Sequence, residues 1–170
     1  MHKQAAKHTI KPAIKQVEVL FLGRDRVQAT FTFSGSSESS PLSAIEFSGS
    51  GCGPFLQALE DFKKRVLALP EKNRVINGDS VFELQVSAGA DHSSILIREL
   101  VLRLRGSFEL PYREAELCHC RAVPTAVVDR AIIGGCHTVQ SVARMTSAGT
   151  SCGTCKPDTE SLIAYRLKSL

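Results

Sequence analysis

The sequence predicts an α+β protein: a small antiparallel sheet with helices packed on one face, followed by a small all-α unit gathered around cysteines. Three observations predict it. Two runs near the start, QVEVLFL (16–22) and VQATFTF (27–33), are rich in β-branched and aromatic residues and flank GRDR, which suits a tight turn. Two later runs, FLQALEDFKKRVLAL (55–69) and HSSILIRELVLRLR (92–105), carry apolar residues at helical spacing. Cys118, Cys120, Cys136, Cys152 and Cys155 all fall in the C-terminal third, whereas Cys52 stands alone.

The elements follow in order. A basic arm (1–15) precedes the 16–33 hairpin, and SGSSESSP (34–41) is loop chemistry before a third strand, LSAIEFS (42–48). Gly-Ser-Gly-Cys-Gly-Pro (49–54) is a glycine-rich turn, with Pro54 suited to a first helical turn. The 55–69 helix carries Phe55, Leu56, Leu59, Phe62, Val66, Leu67 and Leu69 at the spacing of one buried stripe, and Pro70 stops it. Residues 81–86 (VFELQV) fit either a short strand or one helical turn. The 92–105 helix has Ser93 or Ser94 as its expected N-cap. Beyond residue 112 three short helices are expected, over 124–133, over 139–145 with Thr138 as N-cap, and over 158–167 after Pro157. The division is 1–113 and 114–170. The second unit is too short to bury much apolar surface, so a metal centre is expected to staple it.

Composition bounds the function. A chain of 170 residues with 43% apolar and 22% charged residues supports a folded core. No apolar stretch is long enough to span a bilayer, and the first twenty residues lack a secretory leader's apolar block, so a cytoplasmic protein without membrane contact is expected. Net charge is only +4, without an arginine stripe interleaved with aromatics, so nucleic-acid binding is not expected. A phosphate loop, a Ser/His/Asp triad signature and paired helical histidines are all missing, and the expectation is a protein that is not an enzyme.

The cysteines carry the chemistry. Cys118, Cys120, Cys152 and Cys155 form the pattern C-x-C-x31-C-x2-C. Four thiolates from two loops can hold zinc or an iron–sulfur cluster. The C-x-C pair is less usual in structural zinc sites, which favour two to four intervening residues, so the spacing favours an iron–sulfur cluster over zinc.

The stretches ELCHCRAVPTAVVDRAIIGG (116–135) and TSAGTSCGTCKP (146–157) resemble the bacterioferritin-associated-ferredoxin (BFD-like) type of [2Fe–2S] domain, which also forms the middle of NifU proteins. The resemblance runs from 116 to about 168 and implies Cys118, Cys120, Cys152 and Cys155 as ligands of a [2Fe–2S] cluster. The N-terminal half resembles the NifU/IscU scaffold domain through DRVQATFTF (25–33), AIEFSGSGCGPF (44–55) and His92-Ser93-Ser94-Ile95-Leu96. That scaffold builds a transient cluster on three cysteines and an aspartate. Here Cys52 is retained, Leu22 and Ser93 stand at the other two cysteine positions, and Asp25 is near the aspartate's place. The resemblance therefore implies a scaffold fold without the full assembly set.

The expected role is a carrier of one [2Fe–2S] cluster, serving iron–sulfur assembly or transfer, or electron delivery. Its expected partner is a protein: a redox partner, a cysteine desulfurase or a cluster acceptor. The alternatives are an interaction module whose cluster is structural or a sensor, and a structural zinc protein. Cys52, just before a helix N-terminus, and His92 are secondary ligand candidates weighed against simple packing and surface roles. Cys136 is expected to pack as a small hydrophobe. His119, Arg121 and Lys156 adjoin ligand cysteines, where they would either adjust the cluster's charge environment or lie solvated.

Overall fold

The computed structural model describes residues 11–21, 23–76 and 89–168. Three strands, β1 (Ile14–Phe21), β2 (Asp25–Phe33) and β3 (Leu42–Ser50), form an antiparallel meander in the order β1-β2-β3. Alternation sets the buried face: Val17, Val19 and Phe21 on β1 lie beside Val27, Ala29, Phe31 and Phe33 on β2, with Val17 opposite Ala29 and Phe21 opposite Asp25. The register shifts by one residue between Thr32 and Phe33, so Phe33 faces Leu42. Near the end of β3, Gly49 has φ +138°, and a Cβ there would stand 2.1 Å from the Arg26 carbonyl oxygen. Only glycine fits that approach.

Helix α1 (Gly53–Ala68) starts two residues earlier than its apolar run, with Cys52 as N-cap and Pro54 in the first turn. Of the expected stripe it buries Phe55, Leu59, Phe62 and Val66, while Leu67 and Leu69 are half-buried and Leu56 is exposed. Helix α2 (His92–Leu104) packs against β1 and α1. The expected Ser93 or Ser94 cap is corrected: Asp91 is the N-cap, and its carboxylate accepts from the Ser93 and Ser94 amides. Asp91 wins because it alone precedes the turn with extended backbone, which leaves those amides pointing back at it. Residues 81–86, Leu22, Lys3 and Lys7 lie outside the described residues. In the rest of the basic arm, Lys11 is exposed and Lys15 pairs with Glu38 at 2.7 Å.

The second unit is not wholly helical, which corrects the all-α expectation. A two-stranded ribbon, β4 (Glu116–Cys118) and β5 (Val123–Pro124), flanks a single 3-10 turn at His119–Arg121. Three helices follow: α3 (Thr125–Ile133), α4 (Val139–Thr146) and α5 (Lys156–Leu167). Thr138 caps α4 as expected, in a reciprocal pair with Ser141. Helix α5 begins two residues before its predicted start, at Lys156, with Cys155 as N-cap.

Two apolar clusters result. One joins the sheet to α1 and α2 and takes in Ile133 of α3; the other gathers Leu117, Val123, Val128, Ile132, Val142 and Leu162 beneath the cysteine loops. The units are joined by a buried ionic group. Arg166 of α5 is 3% exposed and donates to Asp129 of α3 and Glu99 of α2. Burial works against the Arg166 charge, but the two carboxylates outweigh it and hold the guanidinium protonated. Among the described residues, no helix is long and apolar enough to cross a membrane.

Candidate metal centre

The ribbon and the 149–155 loop bring four thiols to one cleft. Cys118 ends β4 and is 1% exposed; Cys155, the N-cap of α5, is 6% exposed. Cys120 and Cys152 are exposed. Cys120 Sγ lies 3.7 Å from Cys118 Sγ and 3.4 Å from Cys152 Sγ, and Cys118 and Cys155 exchange a side-chain hydrogen bond. The same cleft is lined by Tyr112, Glu114, His119, Thr154 and Asp158. All six cysteines are free thiols. Four sulfurs at these separations, supplied by two loops, fit the all-thiolate donor set of an iron–sulfur cluster.

Local structure explains the convergence. The Thr125 amide donates to Ala115 O at 2.9 Å and its hydroxyl to Glu114 O at 2.6 Å, which fixes the ribbon onto the start of α3. Ala122 adopts the left-handed region at φ 50°, which turns the chain back after Cys120. In the second loop Gly149 has φ +74°, and its amide donates to the sulfurs of Cys118 and Cys155.

The thiols divide electrostatically. Cys152 is depressed to about 7, because the Thr154 hydroxyl and amide both donate to its sulfur. Burial pushes Cys155 up to about 11, reinforced by its neighbour Cys118. For Cys118 burial works upward, but hydrogen bonds from the Gly149 amide, Cys155 and Cys120 outweigh it and lower the value. The cleft thus holds one thiol that ionises readily at the surface and one that resists ionisation in the interior.

Other candidates fall into place around it. The His119 ring faces Glu116 (Nδ1 to Oε1, 3.2 Å) and Glu114 (Nε2 to Oε2, 3.4 Å) and is exposed. Arg121 and Lys156 are exposed, and Lys156 runs beside Gly149 and Gly153. Cys136 is half-buried and packs against the second apolar cluster, apart from the four thiols. Thr154 and Gly149 were not singled out by sequence. A hydroxyl two residues after a cysteine, and a glycine three residues before one, were the available signals.

A second group forms 40 residues apart in sequence. Cys52 Sγ lies 3.0 Å from His92 Nε2, and the Cys52 amide donates to Asp25 Oδ1 at 2.6 Å. One donor atom from each of Asp25, Cys52 and His92 falls within 4.8 Å of the others. Asp25 is 2% exposed, and its Oδ2 has no hydrogen bond; the Arg24 Nε stands 3.7 Å from it. Ser93 is 6% exposed, with its hydroxyl 3.3 Å from His92 Nε2. His92 is half-buried and partnered by Cys52 and Ser93.

Comparison with known proteins bears on the first group. Residues 117–165 match the family described as BFD-like [2Fe-2S] binding domain. A nitrate reductase of Klebsiella oxytoca is 35% identical over 63 residues, which is 37% of this chain and 7% of that enzyme. The chain therefore covers a small part of that relative's length. No solved structure matches the chain. The segment is a BFD-like [2Fe–2S] binding domain, its cofactor is a [2Fe–2S] cluster, and the chain carries an iron–sulfur centre.

Proposed function

We propose that the chain is a one-electron relay: Cys118, Cys120, Cys152 and Cys155 hold the [2Fe–2S] cluster, and a protein partner gives or takes the electron. One observation carries the reading. Two of the four sulfurs, on Cys120 and Cys152, are exposed while the other two are buried. A cluster held this way is anchored from inside and open on one edge to a partner. When bound, the cluster supplies reversible one-electron chemistry. The chain's own residues do the rest. Gly149 and Thr154 donate to the sulfurs, and hydrogen bonds to ligand sulfur are among the features that set a cluster's potential. The likeness to part of a protein named as a nitrate reductase supports a redox setting. The reading places the protein in the cytoplasm and assigns it no substrate of its own.

A second role is favoured by the Asp25–Cys52–His92 group. Cys52 and His92, with Asp25, form a secondary position for a single divalent ion. Cluster assembly at that position is less well supported, because Ser93 stands where the resembled scaffold has a thiol.

Anaerobically purified protein should contain about two irons and two sulfides per chain and give an EPR signal on reduction. Cys152→Ala should lose both irons and the signal. The wild-type cluster should be reduced rapidly by a reductase protein, whereas a cluster that no protein donor or acceptor reaches at a useful rate would overturn the relay reading. Full iron and sulfide content in Cys152→Ala would overturn the ligand set.

A further inference from the structure

We propose that Arg166 is a positioning residue of the cluster site, and that α2, outside the BFD-like segment, is part of the frame that sets the distance between the two cysteine pairs. The inference rests on the ligand set proposed above.

Each cysteine pair runs directly into a helix. The ribbon bearing Cys118 and Cys120 continues into α3, fixed there by the two Thr125 hydrogen bonds. The loop bearing Cys152 ends at Cys155, the N-cap of α5, whose carbonyl accepts from the Thr159 amide and hydroxyl. The relative placement of α3 and α5 therefore fixes the separation of the pairs. At the far end of α5, roughly 16 Å from Cys155 at the usual helical rise, Arg166 ties these two helices together. Its Nε donates to Asp129 Oδ1 and a terminal nitrogen to Asp129 Oδ2, both at 2.7 Å. This is the two-pronged geometry that fixes orientation as well as distance.

The third donor goes elsewhere. The remaining terminal nitrogen reaches Glu99 Oε2 of α2 at 2.6 Å, and Arg98 beside it donates to the carbonyls of Tyr165 and Lys168. Arg166 and Glu99 both lie outside the matched segment, 117–165. The charges of Glu99, Asp129 and Arg166, paired across three helices, set one geometry for their joint in this protein. Here that geometry is the docking of α5 onto α3 and α2. The 149–153 loop, whose Cys152 is exposed, takes its position from α5 through Cys155.

The full-length protein tests this with iron release to a chelator and the EPR spectrum of the reduced cluster. Arg166→Met and Asp129→Asn should each release iron several-fold faster than wild type, because the tie that holds α5 against α3 is lost. Both should also shift the EPR g-values. Arg166→Lys, which keeps the charge but not the fork, should restore neither. The double variant should release iron no faster than the worse single one, because both remove the same tie. Gly49→Ala, on β3 where a Cβ would meet the Arg26 carbonyl, controls for general destabilisation and should leave the spectrum unchanged. If Arg166→Met does not fold, Asp129→Asn decides alone, since Arg166 keeps Glu99. Wild-type release and an unchanged spectrum in Asp129→Asn overturn the proposal. If Cys152→Ala keeps its full cluster, the ligand set has failed instead.

Discussion

The Thr154 hydroxyl donates to Cys152 Sγ across 3.4 Å, at the exposed edge of the four-thiol cleft. With the Thr154 amide it holds the Cys152 thiol down to about 7. A lowered value means that the thiolate persists to lower pH. In the metal-free protein, alkylation of Cys152 should therefore accelerate through an inflection near pH 7, and Thr154→Val should move the inflection up. Cys155, pushed up to about 11 by burial, should react last. Ligand thiols must lose their protons on binding metal, so cluster loading should release protons and weaken as pH falls. Peptide mapping of alkylated protein over a pH series measures the order.

A side chain at Gly149 should be costly. Its φ of +74° costs a non-glycine residue about 1–2 kcal/mol. A Cβ there would also stand 3.3 Å from Lys156 Cγ. Gly149→Ala should lower the melting temperature and speed iron release, because its amide serves two ligand sulfurs. A variant with wild-type iron release would show that the loop adapts without it.

Asp91 caps α2 beneath His92. Asp91→Ala should cost about 1 kcal/mol of stability, whereas Asp91→Asn, a cap of equal quality, should cost much less. Burial pushes the Asp91 carboxyl upward, but hydrogen bonds from the Ser94 hydroxyl and the Ser93 and Ser94 amides outweigh it and hold it below the usual carboxylate range. A depressed carboxyl stabilises the fold above its unfolded value and loses that contribution as pH falls through the folded one. The gap between wild type and Asp91→Ala in urea titrations should thus narrow in acid.

Phe62 is fully buried between α1 and its neighbours. Phe62→Ala should destabilise by about 3–5 kcal/mol through lost transfer energy and an unfilled cavity. Denaturant midpoints measure it directly.

Much of this was legible in the sequence because it is local. The alternation in β1 and β2, the apolar stripe of α1, the Thr138 cap and the paired cysteine spacing each lie within a few residues. The misread features depend on distance or on competition. Asp91, Ser93 and Ser94 all make good caps, and only the chain's turn selects Asp91. The β4–β5 ribbon is too short to show a period. Glu99 carried no signal of its own in the sequence: it is 3% exposed because α5 covers it with Arg166, 67 residues away. The Asp25–Cys52–His92 group closes over gaps of 27 and 40 residues, which no periodicity records; its members were legible only through the resemblance to the scaffold.

The pairing of Glu99 with Arg166 also has a kinetic consequence. The two residues are 67 apart in sequence, whereas the β1–β2 turn pairs Phe21 with Asp25. Local hairpins close quickly, and contacts across long loops pay more entropy before they form. On that ground the meander is expected to form early and the tie between α2 and α5 after the rate-limiting step, which φ-values at Arg166 would measure. Interactions made after that step slow unfolding without hastening folding. The Arg166 group is therefore a brake on opening: without it the chain folds at its usual speed but stays folded for a shorter time.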